Sequence, residues 1–198
     1  MRRYPSPGAF RAAVDARLRA HARKAAVPVT AIRRQAALER LMARLMRGAP
    51  DRWALKGGLA LDTRLGARAR TSMDMDVDHV KGGVAAREDL QAAAAEDLGD
   101  HFSFAITSVE ELREGDVPLA QRYRIECTVA DTLFETLQVD VTLAPPDVWD
   151  AEPARRPGLL ADVGLGPIAA TAKARFEAAG RGNPSTHRPA SCWQTRPG

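Results

Sequence analysis

The sequence predicts an α+β protein: a mixed β-sheet flanked by helices, with a helical pair at its N-terminus. Three observations predict it. The first 50 residues carry apolar stripes at helical spacing, residues 73–80 and 122–143 alternate apolar and polar side chains, and an alanine-rich helical stretch between them suits close packing on a sheet.

The elements follow in order. Pro5-Ser6-Pro7-Gly8 precedes a helix expected over 10–26, with Phe10, Val14 and Leu18 on one stripe, and Pro28 breaks it. A second helix is expected over 30–47, with Ile32, Leu38, Leu41, Met42 and Leu45 as its apolar face, ended at Gly48-Ala49-Pro50-Asp51. Residues 52–56 read as a short strand, and Gly57-Gly58 opens a short helix through Leu65. An Asp-rich strand is expected over 73–80, a helix over 85–98 and a strand over 102–109. Residues 122–129 and 132–143 read as a hairpin joined at Ala130-Asp131. The Pro-, Gly- and Asp-rich stretch 144–167 reads as a long loop, and 168–179 as a last helix. Beyond Gly180 periodicity is lost, so 181–198 is expected to be an irregular tail. The expected organisation is basic helices over 1–50, a core over 51–180, and the tail.

A net charge of +4 over 198 residues conceals a polarity. Residues 1–70 hold 17 Lys and Arg against 4 Asp and Glu, whereas 71–147 hold 5 against 17. Such asymmetry suggests a basic surface for a polyanion beside an acidic centre that attracts cations. The plainer reading is an Arg-rich pair of solvated helices. No apolar run approaches the roughly 20 residues a bilayer requires, and the basic start has no apolar segment after it, unlike a secretory signal. The two cysteines, Cys127 and Cys192, suggest neither a disulfide framework nor a metal pair. The chain reads as cytoplasmic.

The chemistry concentrates in Ser72-Met73-Asp74-Met75-Asp76-Val77-Asp78. A strand alternates its side chains between two faces. Asp74, Asp76 and Asp78 therefore share one face, with Met73, Met75 and Val77 on the other. Like charges so placed repel, and a divalent cation with oxygen ligands, Mg²⁺ or Mn²⁺, relieves that repulsion. In Leu137-Gln138-Val139-Asp140-Val141-Thr142-Leu143, Asp140 faces away from the core. Should this strand lie beside the Asp-rich one, Asp140 joins Asp74 and Asp76 in a two-metal arrangement for in-line displacement at phosphorus. Alone, Asp140 would be an ordinary solvated strand residue. Leu55-Lys56-Gly57-Gly58 sits at a strand-to-helix junction, where glycines let backbone N–H groups approach a phosphate. Lys56 or Arg70 would add positive charge. His79 alternates to the core face and reads as a packed residue.

Leu55-Lys56-Gly57-Gly58-Leu59-Ala60-Leu61, followed by Arg70-Thr71-Ser72-Met73-Asp74-Met75-Asp76, resembles the AbiEii/AbiGii toxin family, nucleotidyltransferases of the DNA polymerase β-like superfamily. The resemblance spans roughly residues 30–180, with its ordered motif in 53–80. It implies a nucleotidyltransferase-like sheet and a toxin of a toxin–antitoxin system. Such a toxin uses a nucleoside triphosphate (NTP) and Mg²⁺ or Mn²⁺ to transfer NMP to an RNA acceptor, in some members the tRNA 3′ end. It also implies a cognate antitoxin. By resemblance Gly57, Gly58 and Ser72 contact triphosphate, Asp74 and Asp76 hold metal, and Asp140 is the third carboxylate and candidate base. Lys173 matches a family lysine placed in a helix after the sheet. Relatives continue with an acidic helix after that lysine, whereas here no acidic residue follows Glu177. The C-terminus is thus atypical and apparently shortened, so the rival expectation is a catalytically impaired nucleotide- or antitoxin-binding remnant. A further rival makes the two N-terminal helices a helix-turn-helix that binds DNA. Ser72, beside the carboxylates, is also a position where phosphorylation would switch the site off.

Overall fold

The computed structural model describes residues 4–65, 74–146, 151–156, 158–165 and 168–173. The expected tail over 181–198, with Arg70 and Ser72, lies outside the described residues. The fold is α+β. Helices α1 (Pro7–Ala25) and α2 (Val29–Gly48) lead into β1 (Trp53–Lys56), α3 (Gly57–Leu65), β2 (Met75–His79) and α4 (Gly83–Ala95). Then come β3 (Phe102–Glu114), β4 (Val117–Val129), β5 (Thr132–Thr142), β6 (Ala151–Arg156), a 3-10 turn at Ala161–Val163 and β7 (Ile168–Lys173). The seven strands form one mixed sheet in the order β3-β4-β5-β2-β1-β7-β6.

The helical pair forms for local reasons. Ser6 caps α1 by accepting the Ala9 N–H, and Pro7 opens the first turn, where its missing N–H costs nothing. Phe10, Val14, Leu18 and Ala22, four residues apart, give α1 its buried stripe. Ala26 closes the helix in the left-handed region. Helix α2 is buried along most of its length, including Arg40 and Arg44. One buried cluster joins Phe10 and Leu18 of α1, Leu38 and Leu41 of α2, Leu90 of α4, and Trp53, Val77, Ile125 and Val139 of the sheet.

Many arginines of the basic helices are engaged by the rest of the chain, two of them in the core. Arg44, fully buried, donates to both oxygens of Asp100 and to the carbonyls of Arg40, Glu96 and Phe102. Arg40 also donates to Asp100, at 2.8 Å. Arg11 reaches the carbonyls of Val129, Thr132 and Leu133 at the β4–β5 turn, and Arg33 that of Phe134. Arg34, Arg17 and Arg47 pair with Glu135, Asp162 and Glu96. Most arginines of these helices therefore bind the rest of the chain, while Arg19, Arg23 and Lys24 are exposed. The same burial removes α2 as an exposed recognition helix.

Two segments differ from expectation. The stretch 144–167, expected to be loop, contains β6, and 168–179, expected to be helix, begins with β7. Strand β7 lies between β1 and β6, parallel to the first and antiparallel to the second. Hydrogen bonding on both sides overrides the helical preference of its alanines. Strand β6 closes the sheet edge, the position in a sheet where a proline such as Pro153 is tolerated. Strand β3 also runs five residues beyond its expected end, because β4 begins early enough to pair with it as far as Glu114.

Candidate nucleotidyl-transfer site

Strands β4 and β5 bury one face in the core and carry polar residues on the other. On β4, Tyr123, Ile125, Cys127 and Val129 are buried, and on β5, Leu137, Val139 and Val141. Their polar neighbours point the other way. Burial pushes the Cys127 thiol up to about 12, as expected of an inert core cysteine. His79 is fully buried against the Trp53 ring at 4.6 Å, with Nε2 at 2.9 Å from Asp89, which places it in the core as its alternation predicts.

On the polar face the register assembles a row across five strands. Glu110 on β3 is opposite Arg122 on β4, Arg122 is opposite Asp140 on β5, Asp140 is level with Asp76 on β2, and Asp76 is opposite Lys56 on β1. Strands β2 and β5 are neighbours and parallel, so Asp76 and Asp140 stand side by side. Asp74 continues the same face two residues back. The Asp76 carboxyl is half-buried and raised above the usual carboxylate range, first by burial and then by the negative charge of Asp140, with Lys56 opposing and Asp74 adding to the rise. The repulsion foreseen from the alternating aspartates is thus a property of the folded site.

Asp78 is the exception within the triplet. It is 5% exposed, accepts a hydrogen bond from the Thr142 hydroxyl at 2.6 Å, and has Lys56 Nζ at 3.1 Å. Lys56 therefore sits at the site's margin, tied to Asp78 and to Thr142. Gly57 follows at the start of α3 with φ of +60°, a conformation disfavoured for any residue with a Cβ. A Cβ there would also collide with Oδ2 of Asp76. The start of α3 is thereby pressed against the carboxylate, and Gly58 is its next residue. Lys173 ends β7, immediately after Ala172, which is level with Leu55. Its backbone lies in a strand beside Lys56, in place of the expected helix.

Arg122 escaped the sequence analysis. Its Nε and Nη2 donate to Oδ1 and Oδ2 of Asp140 at 2.9 and 2.7 Å, a two-point ion pair. A two-residue turn at Ala130-Asp131 without irregularity would set Arg122 opposite Val139. A bulge between Cys127 and Thr128 shifts the register by one residue and brings Asp140 there instead. The sequence carries a trace of it: buried positions on β5 pass from Phe134 to Leu137, breaking the alternation. A polar cleft of about 340 Å³ opens next to this pair, lined by Asp74, Arg122, Arg124, Gln138, Glu110 and Arg34 among others.

Asp74 and Asp76 offer hard oxygen donors in a half-buried pocket whose mutual repulsion a divalent cation would relieve, a donor set that fits Mg²⁺ or Mn²⁺. Among the described residues no three Asp, Glu, His or Cys side chains converge closely enough to hold an ion.

Comparison with known proteins agrees with this arrangement. No curated protein matches the chain significantly. Among solved structures the chain is similar to MenT4, a nucleotidyltransferase toxin from Mycobacterium tuberculosis H37Rv, with a TM-score of 0.52 and 20% identity. The match covers 78% of this chain and 53% of that one, so the chain spans about half the length of that protein. The likeness supports a shared fold. A family model described as "Nucleotidyl transferase AbiEii toxin, Type IV TA system" matches residues 40–174. That stretch contains β1, the Gly57 turn, the aspartate strand, Asp140 and β7, and the chain belongs to the AbiEii nucleotidyltransferase toxin family.

Proposed function

We propose that the chain is a metal-dependent nucleotidyltransferase toxin that moves NMP from an NTP to an RNA acceptor, the tRNA 3′ end. The placement of Asp76 beside Asp140, with the start of α3 against Asp76, carries the reading. Asp74 and Asp76 would hold Mg²⁺ or Mn²⁺, which neutralises charge on the triphosphate. Backbone N–H groups at the start of α3, at Gly57 and Gly58, bind phosphate oxygens, and Ser72 and Arg70 complete that cradle. Lys56 and Lys173, from adjacent strands, add positive charge for the leaving pyrophosphate. An acceptor hydroxyl oxygen forms the new bond to the α-phosphorus while the bond to the bridging oxygen of the β-phosphate breaks. Asp140 takes the hydroxyl proton, and pyrophosphate leaves. Such a toxin acts in the cytoplasm, where its acceptor is found, and is held in check by a cognate antitoxin. No helix among the described residues is long and apolar enough to cross a membrane.

The test is incubation with labelled NTPs, Mg²⁺ and total tRNA, beside Asp74→Ala and Asp76→Ala. Labelling by the wild type alone is expected. Equal labelling by all three, or none, would overturn the reading. The engagement of Asp140 by Arg122 favours one alternative, a nucleotide- or antitoxin-binding remnant that no longer turns over. Tight NTP binding without transfer would select it.

A further inference from the structure

The strand order gives the site two sides. Strand β2 carries Asp76; β1, which leads into α3, lies on one side of it, and β5 and β4 lie on the other. On the proposed reading the pyrophosphate leaves towards the start of α3, Lys56 and Lys173, all on the β1 side. In an in-line displacement the entering oxygen stands opposite the leaving one. The acceptor then arrives from the β5 side, where Asp140 stands and where the cleft of about 340 Å³ opens.

That cleft holds a second polar row beside the first. Ser108 on β3 is opposite Arg124 on β4, and Arg124 is opposite Gln138 on β5. Gln138 precedes Asp140 by two residues, as Asp74 precedes Asp76. Ser108, Arg124, Gln138 and Asp74 all line the cleft, with Arg122 and Arg34. Arg122 is committed to Asp140, and Arg34 is paired with Glu135. Arg124 is exposed and has no ion pair among the described residues. Two residues along a strand span about 7 Å. That is comparable to the reach from a terminal ribose hydroxyl to the phosphate on the 5′ side of the same nucleotide.

We propose that Arg124 binds the phosphate on the 5′ side of the acceptor's terminal nucleotide, seating that nucleotide in the cleft with its hydroxyl at Asp140. The proposal rests on the transferase reading and names a residue that receives its acceptor. A guanidinium suits a phosphate, because its planar fork makes two parallel N–H···O contacts. Ser108 and Gln138 flank it with hydrogen-bonding groups that carry no charge.

The test measures binding of total tRNA to the full chain by filter retention without NTP, so no turnover is needed. Intact tRNA is compared with tRNA trimmed of its single-stranded 3′ end. The proteins are wild type, Arg124→Gln, Arg124→Lys and Arg19→Gln, the last removing an exposed cation of α1 that does not line the cleft. Arg124→Gln should weaken binding of intact tRNA about tenfold, as loss of a hydrogen bond to a charged group does. It should also lower the log–log salt slope by about 0.7, one single-strand phosphate contact. Trimmed tRNA lacks the nucleotide that the cleft holds and should lose little. Arg19→Gln should treat the two RNAs alike, and Arg124→Lys, which keeps the charge without the fork, should retain part of the affinity. Binding of N-methylanthraniloyl-ATP with Mg²⁺ should be unchanged in Arg124→Gln. No loss in Arg124→Gln, an equal loss on intact and trimmed tRNA, or a loss of nucleotide affinity in place of tRNA affinity overturns the proposal. Where wild type labels tRNA, those outcomes remove the Arg124 seat alone. A loss confined to intact tRNA, with no labelling, overturns the transferase reading and leaves the seat standing.

Discussion

Gly57 meets two constraints at once: its backbone is left-handed, and the Asp76 carboxylate occupies the space of a side chain. The two separate by mutation. The backbone strain of a non-glycine residue costs about 1–2 kcal/mol, and overpacking about 1–3 kcal/mol. Gly57→Ala should therefore lower unfolding stability by about 2–5 kcal/mol in urea melts. In an Asp76→Ala background the cost should fall to about 1–2 kcal/mol, the backbone part alone. An undiminished cost there would mean that the carboxylate does not occupy that space. Alternation alone places Asp74 and Asp76 on one face and Asp140 on the outward face of its strand, because period two is a property of the backbone. It cannot find Arg122, since the pairing depends on one extra residue in the hairpin. Nor can it separate Asp78 from its neighbours: what ties it to Lys56 and Thr142 is contact across strands distant in sequence.

At the scale of elements, the β4–β5 hairpin turns through Ala130 and Asp131, with φ of 50° and 60°. Two positive φ values suit the right-handed twist of a two-residue hairpin and favour Gly or Asn over Ala. Arg11 braces this turn through three carbonyls on its β5 side and at its base. Ala130→Gly should stabilise the protein by about 0.5–1 kcal/mol, relief of the left-handed Ala outweighing the added chain entropy. Chemical denaturation measures it, and a destabilised variant would contradict the strain. The hairpin, both N-terminal helices, α3 and the aspartate strand are legible from local signals. Strands β6 and β7 are not. A Pro-bearing edge strand and an alanine-rich strand carry no local β signal, and become strands through the pairing that begins at β1.

At the scale of the whole molecule, part of the charge polarity of the sequence is satisfied internally, at Arg40, Arg44 and Asp100. Burial alone would raise the Asp100 carboxyl, but hydrogen bonds from Arg44 and the charges of Arg44 and Arg40 outweigh it and hold the group below its ordinary 3.8. A lowered folded value means that Asp100 contributes stability above its unfolded pKa and loses it as pH falls through the folded one. The stability gap between wild type and Asp100→Asn should therefore be widest near neutrality and narrow on acidification below 3.8. A gap independent of pH would deny the coupling. Arg44→Ala leaves a buried carboxylate with one arginine fewer and should cost about 3–5 kcal/mol in thermal unfolding. The sequence shows this polarity plainly, yet composition cannot tell a charge that faces solvent from one that faces a carboxylate 56 residues further on.

That separation has a consequence in time. Arg44 is synthesised before Asp100, which follows it by 56 residues. At roughly 5–20 residues per second the helices wait about 3–11 s for the acid that neutralises them. Until then Arg40 and Arg44 lack the carboxylate that neutralises them, next to the RNA-rich surface of the ribosome.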